Sequence, residues 1–227
     1  MYLSEETKHT MTRKTRTQLQ ELIDFVSFPL RALTLFHDDR WGLTSLASER
    51  FYYVAKEVTG SCLDIGCGYG NKFVSEWLGG SGNGIDVFQY WGLTKDQIVA
   101  DMTRLPFDDA SFDTVTFIAN INHVPKSKRD AELKEAYRCL QPGGKIVVTM
   151  GNPVAELLVH QVVKWYDRLL GTAVDMDTER GMGEEEEYYL RDSEIVARLK
   201  KAGFENLKKK YFGTQWFLNH RWVGQKP

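Results

Sequence analysis

The chain is short of cysteine, of net charge and of long apolar runs, and each shortage removes a class of protein. Its three cysteines, Cys62, Cys67 and Cys139, are odd in number and fall where the sequence reads as strand, loop and helix end. With no zinc-ligand spacing among them, they predict a reduced, cytoplasmic protein without structural disulfides or a metal site. A formal net charge of −2 gives no general attraction to phosphate, so no nucleic-acid partner is expected. The local basic clusters, Lys126, Lys128 and Arg129, and Lys208 to Lys210, read as solvated faces. The first twenty residues lack the apolar core of a secretion signal. The most apolar stretch, LQELIDFVSFPLRALTLF over 19–36, is interrupted by Glu21, Asp24 and Arg31 and is expected to break at Pro29. It predicts a pair of amphipathic helices packed on the domain, with a peripheral membrane contact as the second reading.

What is present is an alternation of apolar runs and helical patterns from residue 44 onward, the signature of a parallel sheet covered on both faces. Helices are predicted over 44–59, 71–78, 126–140 and 192–201. Strands are predicted over 61–65, 84–87, 97–100, 112–118 and 145–150, followed by a closing hairpin over 207–212 and 215–222. Between them, 152–171 reads as a further helix ending at Gly171, and four glutamates occupy 184–187. The organisation expected is a helical cap over 1–43, a core over 44–151, a lid insertion over 152–190 and a closing helix and hairpin over 191–227.

CLDIGCGYG, residues 62–70, ends a strand with an acid and places glycines at every second position. Bare backbone of that kind lets a ligand approach the carboxyl edge of a sheet. A dinucleotide loop would run Gly-x-Gly-x-x-Gly, yet Asn71 stands where its last glycine belongs and Asp64 where it is apolar. A carboxylate beside the turn repels pyrophosphate and attracts an ammonium. Asp86, in GNGIDVF, ends the next strand, where a carboxylate suits two ribose hydroxyls. Asp101, in VADMTRLPF, ends the third, positioned to accept from an exocyclic adenine amine while Met102 covers the ring. Amine, ribose and adenine are the parts of S-adenosylmethionine.

Taken in order, CLDIGCGYG, GIDV, VADMTRLPFDDASFDTVTFIANINHV and CLQPGGKIVVTM resemble the class I S-adenosylmethionine-dependent methyltransferases, in particular the ubiquinone and menaquinone biosynthesis branch. The resemblance covers roughly residues 61–150. It implies an α/β, Rossmann-like, seven-stranded, mostly parallel sheet with the last strand antiparallel and helices on both faces. It also implies S-adenosyl-L-methionine as cofactor, leaving as S-adenosyl-L-homocysteine. Asp64, Gly66, Gly68 and Gly70, with Cys67 between them, would meet the methionine end. Asp86 and Val87 would meet the ribose, Asp101 and Met102 the adenine, and the chain around Ile118 the floor. One departure stands out: fourteen residues separate Asp86 from Asp101, too few for the helix usual there. Tyr90 and Trp91 either form an aromatic wall over the adenine or pack on the sheet edge.

Methyl transfer from a sulfonium is an in-line displacement, for which positioning supplies on the order of 7–11 kcal/mol in favourable cases. A base is needed only for a hydroxyl or acidic-carbon acceptor, and His123 and His37 are the candidates. The expected acceptor is a small molecule, sugar-like, phenolic or partly apolar, chosen by the segments outside the core. Apolar residues of 152–171, among them Leu157, Val162 and Trp165, either line its pocket or bury the lid. The competing readings are an RNA or tRNA base methyltransferase and a non-catalytic scaffold that keeps the fold.

Overall fold

The computed structural model describes residues 13–33, 38–151 and 190–227. His37 and the predictions for 152–189 lie outside these residues.

Six strands form one sheet: β1 (Cys62–Ile65), β2 (Asn83–Ile85), β3 (Phe112–Phe117), β4 (Leu140–Gly151), β5 (Glu205–Tyr211) and β6 (Asn219–Gln225), in the order β2-β1-β3-β4-β6-β5. The first four are parallel and β6 runs antiparallel between β4 and β5. Side-chain alternation divides the core between the two faces. Leu63, Ile65, Ile146 and Val148 point to one side, Cys62 and Val147 to the other. Helices α3 (Arg129–Cys139) and α4 (Asp192–Ala202) cover the first face through Leu133, Ala136, Ile195 and Leu199. Helix α2 (Leu46–Ala55), capped at Ser45 by a 3.1 Å bond from Ser48 N to Ser45 Oγ, covers the second with Tyr52 and Val54.

The seventh strand, expected over 97–100, is reduced to a single parallel bridge between Asp86 and Ile98. Gln97 explains the shortening. It closes a 3-10 turn over Lys95–Gln97, and its side-chain amide donates to Gly84 O at 2.9 Å, occupying a carbonyl on the outer flank of β2. The helix expected over 71–78 is instead a 3-10 turn and a π-helical turn, Phe73–Trp77. Gly70 and Asn71 both have positive φ (64° and 47°), so no regular helix can start there. The last strand begins at Asn219 rather than 215, because Trp216 and Phe217 have φ of 50° and 61°.

The amphipathic helix pair over 19–36 is corrected on two counts. Helix α1 (Gln18–Leu33) runs unbroken through Pro29. A proline leaves the carbonyl four residues earlier without its helical donor, and here the indole Nε1 of Trp216 donates to Phe25 O at 2.9 Å. The helix is also turned polar side in. Asp24 and Arg31 are fully buried, whereas Leu19, Leu22, Val26 and Leu30 are more than half exposed. Arg31 Nη1 donates to Glu49 Oε2 (2.9 Å) and Thr44 O (2.8 Å), and Arg16 pairs with Asp24. Gln215 Nε2 adds a 2.8 Å bond to the same Glu49 oxygen, so the cluster joins α1, α2 and the turn before β6.

Truncating one partner of such a cluster leaves a buried charge uncompensated. Arg31→Met is expected to destabilise the fold by about 3–5 kcal/mol, read as a lower urea midpoint. A loss under 1 kcal/mol would show that the cluster does not hold α1 in place.

Candidate cofactor and acceptor site

A cavity of about 510 Å³ opens at the carboxyl edge of the sheet. Gly66 and Gly68 line it from the end of β1, Asp86, Val87 and Phe88 from the end of β2, and Ala119, Asn120 and His123 from the loop after β3. Ala100 and Met102 form a further wall, facing Val124, Lys128 and Glu132.

The loop after β1 lies close against its neighbours. A Cβ on Gly66 would stand 2.2 Å from Asn120 Nδ2, which itself donates to Ile65 O at 3.0 Å. A Cβ on Gly68 (φ 64°) would meet nothing within 4 Å, so the space above that residue is the cavity itself. Gly70 and Cys67 do not line the cavity. Gly70 N donates to Trp91 O at 2.9 Å, and Cys67 is buried with its N donating to Ile85 O at 3.1 Å.

Asp64 sits beneath the loop, 1% exposed, and accepts from Thr116 Oγ1 at 2.6 Å across the register pair that joins β1 to β3. Burial raises its pKa to about 7; the Thr116 hydroxyl opposes this and the charge of Asp86 adds to it. Asp86 lines the cavity and also holds two loops: Oδ2 accepts from Gly68 N and Oδ1 from Phe88 N, each at 3.0 Å. Each oxygen retains a second lone pair for a ligand hydroxyl. Asp101 is exposed and turns back on its own loop, Oδ1 accepting from Thr103 N (3.0 Å) and Oγ1 (2.7 Å); those bonds lower its pKa. The wall beside it is made by Ala100 and Met102. Ile118 packs with the cluster on the α2 face. Of the two aromatics in the short crossover, Tyr90 lines the cavity with its ring 4.4 Å from that of Tyr69, while the Trp91 side chain is 84% exposed.

Three residues absent from the sequence reading belong to the site. Thr116 is recognisable only from register. Asn120 follows a residue with φ of 50°, Ala119, and its contact with Gly66 crosses more than fifty residues. Glu132 is one of several charged residues on α3, and nothing in the one-dimensional pattern separates it from a solvated face. Among the described residues no cluster of histidine, cysteine and carboxylate side chains suits a metal ion.

The arrangement offers carboxylates below and beside a bare backbone loop, and an apolar slot behind them. The volume lies in the range of roughly 300–1,000 Å³ usual for small-molecule and cofactor sites.

Residues 63–148 match the family described as methyltransferase domain. The ubiquinone/menaquinone biosynthesis C-methyltransferase of Brucella anthropi is 32% identical over 124 residues, 51% of this chain and 45% of that protein. The chain thus spans about half the length of the curated relatives it matches. Among solved structures, a SAM-dependent methyltransferase from Methanosarcina mazei superposes with a TM-score of 0.54 at 21% identity, over 77% of this chain and 96% of that one. The 1,6-didemethyltoxoflavin-N1-methyltransferase of Burkholderia thailandensis, crystallised with its substrate and S-adenosylhomocysteine, gives 0.53 at 12% identity over 95% and 93%.

The raised pKa of Asp64 makes a stability prediction. The folded state holds this proton up to about pH 7, the unfolded state only to the ordinary aspartate range. Stability contributed at this position therefore falls as pH rises from about 4 to 7 and is flat above. Asp64→Asn is expected to be more stable than wild type at pH 8, by about 1–4 kcal/mol, with the gain shrinking at pH 5. Urea titrations at the two pH values check it, and a gain independent of pH would refute the buried-acid account.

Proposed function

We propose that this chain, whose residues 63–148 match the methyltransferase domain family, is a class I S-adenosylmethionine-dependent methyltransferase that binds S-adenosyl-L-methionine in the cavity at the sheet edge and methylates a small molecule. The observation that carries the reading is the Gly66–Gly68 loop, open to the cavity and flanked by Asp64 and Asp86. When bound, the cofactor supplies an electrophilic methyl on a sulfonium, and the acceptor displaces it while losing a proton.

The chain's own residues bind, orient and exclude water. Gly66 and Gly68 admit the amino-acid end against the backbone, and Asp64 gives that end a negative field. An approaching ammonium favours the ionised carboxylate and draws its pKa down from about 7. Asp86 receives the ribose hydroxyls on the lone pairs that Gly68 and Phe88 leave free, and Val87 lies against the sugar. Met102 covers the adenine ring, with Tyr90 on the same cavity as its aromatic wall. Acceptor selection is assigned to the segments outside 44–151.

His123 is assigned the acceptor proton. Of the two described histidines it alone lines the cavity. The other, His220, is buried with its Nε2 3.0 Å from Asp192 Oδ1, and burial lowers its pKa to about 4. One relative is named as a C-methyltransferase of ubiquinone and menaquinone biosynthesis, and one structural neighbour as a 1,6-didemethyltoxoflavin N1-methyltransferase. Quinone-like phenols are therefore the first acceptors to screen, then glycans.

Isothermal calorimetry with S-adenosylhomocysteine tests the cofactor site. Asp86→Ala is expected to weaken binding on the order of 10- to 100-fold while the protein stays folded, and no binding by folded wild type would overturn the reading. His123→Gln is expected to leave that affinity within about threefold and to slow methylation of a hydroxyl acceptor by roughly 10²–10⁴-fold. An unchanged rate with the same acceptor would remove the base.

A further inference from the structure

Glu132 is a buried acid that the reading above leaves unused. It lies one turn into α3 and lines the cavity, yet only 5% of it is exposed, and its Oε2 has no hydrogen-bond partner among the described residues. A buried carboxyl oxygen left unsatisfied is unfavourable, so the position is explained best by a partner that arrives with a ligand.

Its neighbours identify which part of the ligand. Two groups exert charge on it: Lys128, which immediately precedes α3 and also stands on the cavity wall, and Asp101, on the loop that carries Met102. The titratable group on the remaining element around it, the loop after β3, is His123. Asp64 by contrast couples to Asp86, at the glycine end. Glu132 therefore belongs to the end lined by Ala100, Met102, Val124 and Pro125, an apolar slot suited to a flat ring. Asp101, the acid expected for this task, is exposed, committed to Thr103 and absent from the lining.

Resting on the cofactor reading, we infer that Glu132 reads the adenine edge as a neutral carboxylic acid, its hydroxyl donating to a ring nitrogen and its carbonyl oxygen accepting from the exocyclic amine. A carboxylic acid carries the one donor and one acceptor that this edge requires, whereas a carboxylate carries acceptors only. Burial pushes the Glu132 pKa up to about 7, against the pull of Lys128 and helped by Asp101, so the neutral form predominates below neutral pH.

Calorimetry of S-adenosylhomocysteine at pH 6 and pH 8.5, with wild type, Glu132→Gln and Glu132→Leu, tests this. Asp64 gives an opposite slope, since its ionised form attracts the ligand amine, and the difference between wild type and Glu132→Gln isolates the Glu132 contribution. Wild type is expected to lose about tenfold more affinity for the adenosyl ligand between pH 6 and 8.5 than Glu132→Gln does. Glu132→Gln, whose amide keeps a donor and an acceptor, should bind within about threefold of wild type at pH 6. Glu132→Leu should bind about 10- to 100-fold more weakly. Wild-type affinity and pH dependence in Glu132→Leu would overturn the inference while leaving the cofactor site standing. Absence of binding by folded wild type would overturn both.

Discussion

The site exists because there is no room beneath its loop. Three of the glycines at which a Cβ would collide surround it: Gly66 with Asn120 Nδ2 at 2.2 Å, Gly84 with Asn71 Oδ1 at 2.0 Å and Gly92 with Gly70 Cα at 2.9 Å. The first fixes the distance between the ends of β1 and β3, the second between the loop and β2, the third between the loop and the short crossover. Interiors packed to this density respond to an added methyl by moving backbone rather than by absorbing it. The cavity wall is therefore a consequence of glycine placement in three separate segments, and only one of these is the motif that first draws the eye.

Around that wall Asp64, Asp86 and Glu132 make no ion pair among the described residues, and Lys128 is the basic residue of the lining. Asp64 and Glu132 are buried and hold protons to about pH 7, and Asp86 satisfies its oxygens on backbone N–H groups alone. The opposite choice is made 

at α1, where Asp24 and Glu49 are buried against Arg16 and Arg31. One cluster pairs its acids with arginines of the protein itself and serves position; the other leaves its acids for a cationic, hydroxylated, amine-bearing ligand to complete. Strain of this kind at a site is commonly retained at the expense of stability.

The parallel core was legible in the sequence because burial on both faces writes continuous apolar runs, as in 146–148, and because the glycine loop is local. Features set by contacts between distant residues were not. Pro29 read as a break, since nothing near it announces that Trp216 will take the carbonyl it orphans. The 97–100 segment has strand character, yet Gln97 spends its amide on Gly84 and leaves one bridge. Asp101 fits its expected station by position along the chain and departs from it by side-chain direction, which no spacing encodes. Glu132 illustrates the same limit from the other side: a helix carrying Asp130, Glu132, Lys134 and Glu135 does not disclose which of its charges faces inward.

The Trp216–Phe25 bond joins residues 191 positions apart, and Gln215–Glu49 joins residues 166 apart. At synthesis rates of roughly 5–20 residues per second, α1 would leave the ribosome about 10–40 s before the indole that completes it. Throughout that interval Glu49 would lack the amide of Gln215, and the Phe25 carbonyl of α1 would lack its donor. The earliest helix to be made is thus among the last to be finished, and its docking registers that the C-terminal hairpin has already assembled.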